Sequence, residues 1–172
     1  MYVVLLRGVN LGKRKVLSAE LKEIAAGLGH ADVSTYINSG NVLCSSEQSA
    51  EEVANGFEQA LLERYDFSVD VVVRTAEELA SVVAGNPFPD GDPKQVTVGF
   101  AQTAIDPAAA DRIAALATPQ ERFRLVGREI YVDFAGGLAK SRLAAGLSKA
   151  AGQTATARNI RTVTKLAELA GS

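Results

Sequence analysis

Cysteine, histidine and methionine each occur once in this 172-residue chain, and tryptophan is absent. A lone Cys44 cannot close an internal disulfide, and a single His30 leaves too few soft ligands for a zinc-type metal set. No run of about twenty apolar residues occurs, which excludes a membrane-spanning helix. Residues 1–7 lack the cationic start, apolar stretch and small-residue cleavage site of a secretory signal, so the expected location is the cytoplasm. Hydrophobic residues nevertheless make up 47% of the chain, enough for the core of one domain or of two small packed ones.

Charge of either sign is not lacking, but it is segregated beneath a net value of −2. Residues 1–17 carry Arg7, Lys13, Arg14 and Lys15 and no acid. Residues 137–172 carry Lys140, Arg142, Lys149, Arg158, Arg161 and Lys165 against Glu168 alone. The stretch between them holds nineteen acidic and eight basic side chains. Such asymmetry bears on partners rather than on fold, and its bland explanation is clustering on solvated faces.

Apolar periodicity orders the chain. Residues 2–6 form a β-branched apolar run, which reads as a strand covered on both faces. A glycine-rich basic loop follows. Ser18 is placed to cap a helix whose apolar face is Leu21, Ile24, Ala25 and Leu28, and Gly29 is placed to end it. Residues 33–38 and 41–45 flank a Ser39-Gly40 turn. A helix over 49–65 and a strand over 69–74, with its valines alternating against Asp70 and Arg74, complete a βαββαβ order. Thr75 should cap a helix to Ala84, and a proline-rich connector over 86–93 leads to a strand over 95–102. Asp106-Pro107 opens the next helix, and Gly127-Arg128 joins strands over 122–126 and 129–134. Helices over 140–151 and 159–170 finish the chain. The expected fold is therefore α+β: a ferredoxin-like subdomain over 1–75, and over 76–172 a βαββα-like one with a C-terminal helix in place of the last strand. That helix is expected to return toward the N-terminal loop.

Several chemistries are poorly represented. Gly8-Val9-Asn10-Leu11-Gly12-Lys13 is one residue short of a P-loop, and Arg14 stands where Ser or Thr would hold magnesium. A dinucleotide fingerprint is missing as well. His30, just past a helix end, is expected at the surface, and Cys44 in a strand is expected to be a small buried hydrophobe. No serine is placed beside His30, and no carboxylate pair stands out for acid–base work. No cofactor is implied. What remains is an anion-holding arrangement: free N–H groups beside clustered cations in the first loop, and Arg158, Arg161 and Lys165 gathered at the start of the last helix. Lys140 and Arg142 repeat that theme near the preceding helix.

The motifs Leu5-Leu6-Arg7-Gly8-Val9-Asn10-Leu11-Gly12, Thr35-Tyr36-Ile37-Asn38-Ser39-Gly40-Asn41-Val42, and Ala157-Arg158-Asn159 through Thr162-Val163-Thr164-Lys165-Leu166 resemble the family called domain of unknown function 1697. The resemblance covers nearly the whole chain and implies a two-part α/β fold with ferredoxin-like elements, but no established activity, substrate or catalytic residues. Ser141-Arg142-Leu143 stands where relatives commonly carry Ser-Lys-Leu. Ile160 stands where a longer apolar or aromatic side chain is frequent.

If Arg7, Asn10, Lys13, Asn38, Asn41, Lys140, Arg158, Asn159 and Lys165 converge, they would make a basic, Asn-rich cleft suited to a phosphorylated or other anionic small molecule, a nucleotide among them. Nucleic acid is the alternative partner, although residues 3–6 and 41–44, the strands that stack bases in RNA-recognition domains, hold no aromatic side chain. A third reading is a non-catalytic interaction module whose basic ends dock an acidic partner. No membrane contact is expected, and the composition fixes no oligomeric state.

Overall fold

The computed structural model describes residues 1–38 and 40–172, so that Ser39 of the expected turn lies outside the described residues. The elements are, in order, β1 (Tyr2–Leu6), α1 (Ser18–Gly27), β2 (Ala31–Thr35), β3 (Asn41–Ser45), α2 (Ala50–Tyr65), β4 (Val71–Thr75), α3 (Ala76–Ala84), β5 (Val96–Phe100), α4 (Ala109–Leu116), β6 (Arg122–Val126), β7 (Glu129–Asp133), α5 (Arg142–Ala151), β8 (Thr156–Asn159) and α6 (Ile160–Ala170). They divide into two compact units, Met1–Ala80 with Leu166–Ser172, and Ser81–Lys165. The fold is α+β, with one four-stranded antiparallel sheet in each unit.

In the first unit the strand order is β2-β3-β1-β4, the ferredoxin-like arrangement. One face of the sheet presents Val4, Leu6, Val42, Cys44, Val71 and Val73 to the apolar sides of α1 and α2, among them Leu21, Ile24, Phe57 and Leu61. The alternate residues Val3, Leu5, Leu43 and Val72 are buried too, which is why β1 reads as a continuous apolar run rather than an alternating one. Two local signals work as their chemistry requires. Ser49 and Glu52 form a reciprocal capping box at α2, with Ser49 N–H donating to Glu52 Oε2 at 2.8 Å. Thr75 Oγ1 accepts from Glu78 N–H at 3.1 Å at the start of α3.

Helix α1 departs from the expected cap. Leu17 occupies the cap position, and the Glu20 carboxylate reaches back to accept from Leu17 N–H at 2.9 Å. That bond, more than any other contact, holds the Glu20 carboxyl below its ordinary value. Ser18 is the first helical residue, and its hydroxyl lies 3.3 Å from Asn38 Oδ1 instead.

The second unit repeats the order as β6-β7-β5-β8, again with every neighbour antiparallel. The expectation of a helix in place of the last strand is therefore corrected: Thr156-Ala157-Arg158-Asn159 is that strand, paired with β5 from Phe100↔Thr156 to Thr97↔Asn159. Four residues of mixed polarity carry no apolar alternation, so pairing with β5 and not pattern makes them a strand. Arg158 is accordingly a strand residue and not part of the face of α6. The two registers are equivalent: Val3↔Arg74 and Tyr2↔Thr75 in one sheet correspond to Val98↔Arg158 and Thr97↔Asn159 in the other. Each fourth strand thus ends in an arginine followed by a helix cap. Arg74, which alternation had set against the inward valines, is only 1% exposed, because it shares its face with Val72 and Val3.

His30 is likewise not at the surface. It is 6% exposed, lies 5.8 Å from the Phe57 ring in a stacked arrangement, and has no hydrogen-bond partner on either ring nitrogen among the described residues. Burial disfavours the imidazolium and lowers its pKa. The unfolded chain therefore takes up the proton first. The stability His30 allows is present above its ordinary value of 6.5 and is lost as pH falls through the lowered folded value. Urea unfolding between about pH 7.5 and 5.5 should show stability declining, and His30→Leu should flatten that decline, since no other histidine exists. An unchanged slope in the variant would assign the proton uptake to another group.

Candidate functional site

Strand β1 ends between two neighbours. Leu6 N–H donates to Gly40 O at 2.8 Å and Arg7 N–H donates to Asp70 O at 2.9 Å, after which the chain leaves the sheet. Gly8, Asn10 and Gly12 then adopt left-handed φ of 71°, 61° and 59°, alternating with Val9 and Leu11, which do not. Alternating handedness curls a backbone so that successive N–H groups line a concavity, the geometry that holds anions in phosphate loops. The turn at Val9-Asn10 faces Leu11 N–H toward Gly8 O, and among the described residues the other N–H groups of residues 8–13 meet no acceptor. The loop is pinned at its ends by Val9 and Val16, both buried, while residues 11–15 are exposed.

Asparagine side chains brace this loop and its neighbour. Asn10 Nδ2 donates to Asn38 O at 2.7 Å, and Asn10 Oδ1 accepts from Val16 N–H at 2.9 Å. One amide therefore closes the loop on itself and ties it to the β2–β3 connection. Asn41 is fully buried and donates to Tyr36 O at 3.0 Å, bracing the same connection. Gly40 is required there: at φ 75° a Cβ would meet Val9 Cγ2 at 2.6 Å and Leu6 Cβ at 2.9 Å. Of the expected site residues, Asn10 and Asn38 are joined directly, with Asn41 beside them. Arg7 and Lys13 supply exposed charge on the same loop, and Lys13 forms no ion pair among the described residues. Arg14 lies over the Phe67 ring, 4.7 Å from its centroid.

Lys140, Arg158, Asn159 and Lys165 belong to the other unit. Asn159 Oδ1 accepts from Thr162 N–H at 2.8 Å and so caps α6. Arg158 is half-buried; desolvation pulls its guanidinium down to about 10, and one N–H donates to Ala157 O at 2.9 Å. Lys165 is exposed on α6 and Lys140 is exposed ahead of α5. No hydrogen bond or ion pair joins Lys140 to Arg158 or Asn159 among the described residues. Burial pushes the Cys44 thiol up to about 11, which suits the small hydrophobe expected there. No group of three or more His, Cys, Asp or Glu able to hold a metal ion occurs among the described residues. No helix among them is long and apolar enough to cross a membrane.

The left-handed path of residues 8–13 was legible only as glycines and cations. Its shape depends on Asn10 in the left-handed region, and on a partner 28 residues away.

Two ferredoxin-like sheets of identical strand order, with a loop of open N–H groups leaving the first, define a duplicated α+β protein. The chain belongs to the family described as protein of unknown function (DUF1697), whose model matches residues 1–131. It is similar throughout to the conserved bacterial protein SP0830 from Streptococcus pneumoniae, with 25% identity, a TM-score of 0.74, and 99% of this chain and 98% of that chain covered. No curated protein matches it.

Because Asn10 satisfies both loops, Asn10→Ala should cost about 1–3 kcal/mol in urea unfolding, through two lost hydrogen bonds and the left-handed strain of alanine. Asn10→Gly, which accepts the same φ, should recover part of that cost. Equal stabilities for wild type and Asn10→Ala would contradict the bracing role.

Proposed function

We propose that this protein binds a phosphorylated or otherwise anionic small molecule, a nucleotide being one such ligand, through the loop of residues 8–13. The supporting observation is the run of open backbone N–H groups with alternating left-handed residues, flanked by Arg7 and Lys13. Backbone donors supply shape-matched hydrogen bonds at fixed positions, and the exposed cations supply attraction. Asn10, Asn38 and Asn41 act on the ligand through the loop's shape. Lys140, Arg158, Asn159 and Lys165 form a second basic set under the same reading, with Arg158 the member most deprived of water.

Nucleic acid presents the same phosphate chemistry. Base-stacking on an open sheet face is disfavoured in both units, since Val3, Leu5 and Leu43 in one, and Val98, Phe100 and Tyr131 in the other, are buried. A small ligand is the reading the loop supports better.

Ligand binding to the native state raises stability by about 2.7 kcal/mol at a hundredfold excess over Kd. Thermal unfolding across phosphate, nucleotides, sugar phosphates and a short oligonucleotide should therefore show a saturable rise in Tm for a phosphorylated small molecule. Lys13→Glu should weaken that response about tenfold or more, while Arg158→Ala reports whether the second basic set shares the site. No response to any phosphorylated compound, or a response unchanged in Lys13→Glu, would overturn the proposal.

A further inference from the structure

The end strand of the second sheet combines an apolar groove with outward-facing backbone groups. Strand β6 is the end strand of the order β6-β7-β5-β8. On β7, Phe134 N–H donates to Gln95 O and Arg128 O accepts from Ala101 N–H, so the even-numbered residues of that stretch point their backbone groups at β5. The odd-numbered residues Glu129, Tyr131 and Asp133 consequently point at β6, where they pair with Val126, Arg124 and Arg122. That leaves the N–H and C=O groups of Phe123 and Leu125 facing outward along the open edge. The short turn agrees: Gly127 at φ 58° begins a two-residue hairpin loop, whose flanking residues Val126 and Glu129 form a hydrogen-bonded pair.

The side chains of Phe123 and Leu125 line a groove of about 530 Å³, completed by Ala104, Ile105, Pro107 and Ala110. Gly127 O, next along this edge, accepts from Ile105 N–H at 2.9 Å, whereas the outward groups of Phe123 and Leu125 have no partner among the described residues, so apolar floor and unpaired backbone run along the same strand. On the opposite face of β6, Arg124 is exposed and has no acidic partner among the described residues. Arg122 differs: it is held by Asp133 at 2.6 Å and by Asp90 at 3.2 Å, and lies over Phe88.

We propose that β6 receives an extended peptide segment of a partner protein, added as a fifth strand, with an apolar–acidic–apolar order of side chains. Backbone bonds to Phe123 and Leu125 fix the peptide's register, as in other strand-addition complexes. Strand alternation then sends the two apolar side chains into the groove and the carboxylate to the face of Arg124. A second copy of β6 fits poorly, because antiparallel pairing centred on this edge sets Arg124 against Arg124.

The test uses the full chain and two peptides, Thr-Val-Glu-Val-Thr and Thr-Val-Lys-Val-Thr, each followed by amide NMR. The glutamate peptide should bind saturably, shift the amides of Phe123 and Leu125 and slow their hydrogen exchange. It should bind about tenfold more tightly than the lysine peptide. Arg124→Glu, a surface change that leaves the fold intact, should invert that preference. Binding that ignores the charge swap, shifts confined to other residues, or no binding by either peptide would overturn the proposal. So would concentration-dependent self-association through the same amides without peptide binding, which would make the edge a contact between copies of the chain.

Discussion

Everything at the candidate site depends on β1 being an interior strand. A ferredoxin-like order sets the first strand between the third and the fourth, so its last residues are gripped from both sides, by Gly40 O on Leu6 and by Asp70 O on Arg7. The chain is therefore released from the sheet at a fixed point and in a fixed direction. The loop that follows inherits that precision, and Asn10 extends it by binding Val16 and Asn38 at once. An exposed loop of small and charged residues would otherwise sample many conformations, and ordering it only on binding would weaken any ligand contact. Three left-handed residues, two of them glycines, make the curled path accessible at low cost.

The second unit shows what the same topology does with a different sequence. Its strands occupy the same order and register, and its fourth strand ends in Arg158 and Asn159 where the first unit has Arg74 and Thr75. Conformation is duplicated and chemistry is not. Arg74 is enclosed, whereas Arg158 is half-buried and so poorly solvated that its guanidinium is pulled down to about 10. The first unit concentrates its polar features at the exit of its central strand. The second offers an apolar groove along an end strand. Two surfaces of different chemistry on one duplicated framework are consistent with a small anion on one and a peptide on the other.

Much of this was legible in the sequence because it rests on local physics. The apolar run at the start, the Thr75 cap and the Gly127-Arg128 turn each declare an element within a few residues. What the residues hid was set by distant contacts. β8 is a strand because β5 pairs with it, not because Thr-Ala-Arg-Asn has a strand pattern. His30 is buried because Phe57 stacks on it, although its place after Gly29 looks like a solvated helix end. The bracing by Asn10 was hidden as well, since a side-chain amide looks the same in a sequence whatever its partner, and here its partners are Asn38 O and Val16 N–H.

The central claim is that the N–H groups of residues 8–13 form a preorganised receptor for an oxyanion. Amide NMR of the wild-type chain, titrated with inorganic phosphate at constant ionic strength, addresses it directly, because it reads each donor separately. The account predicts saturable downfield shifts concentrated in the amides of Gly8, Asn10, Gly12 and their neighbours. Shifts spread evenly over the exposed lysines and arginines, with this loop unmoved, would contradict it.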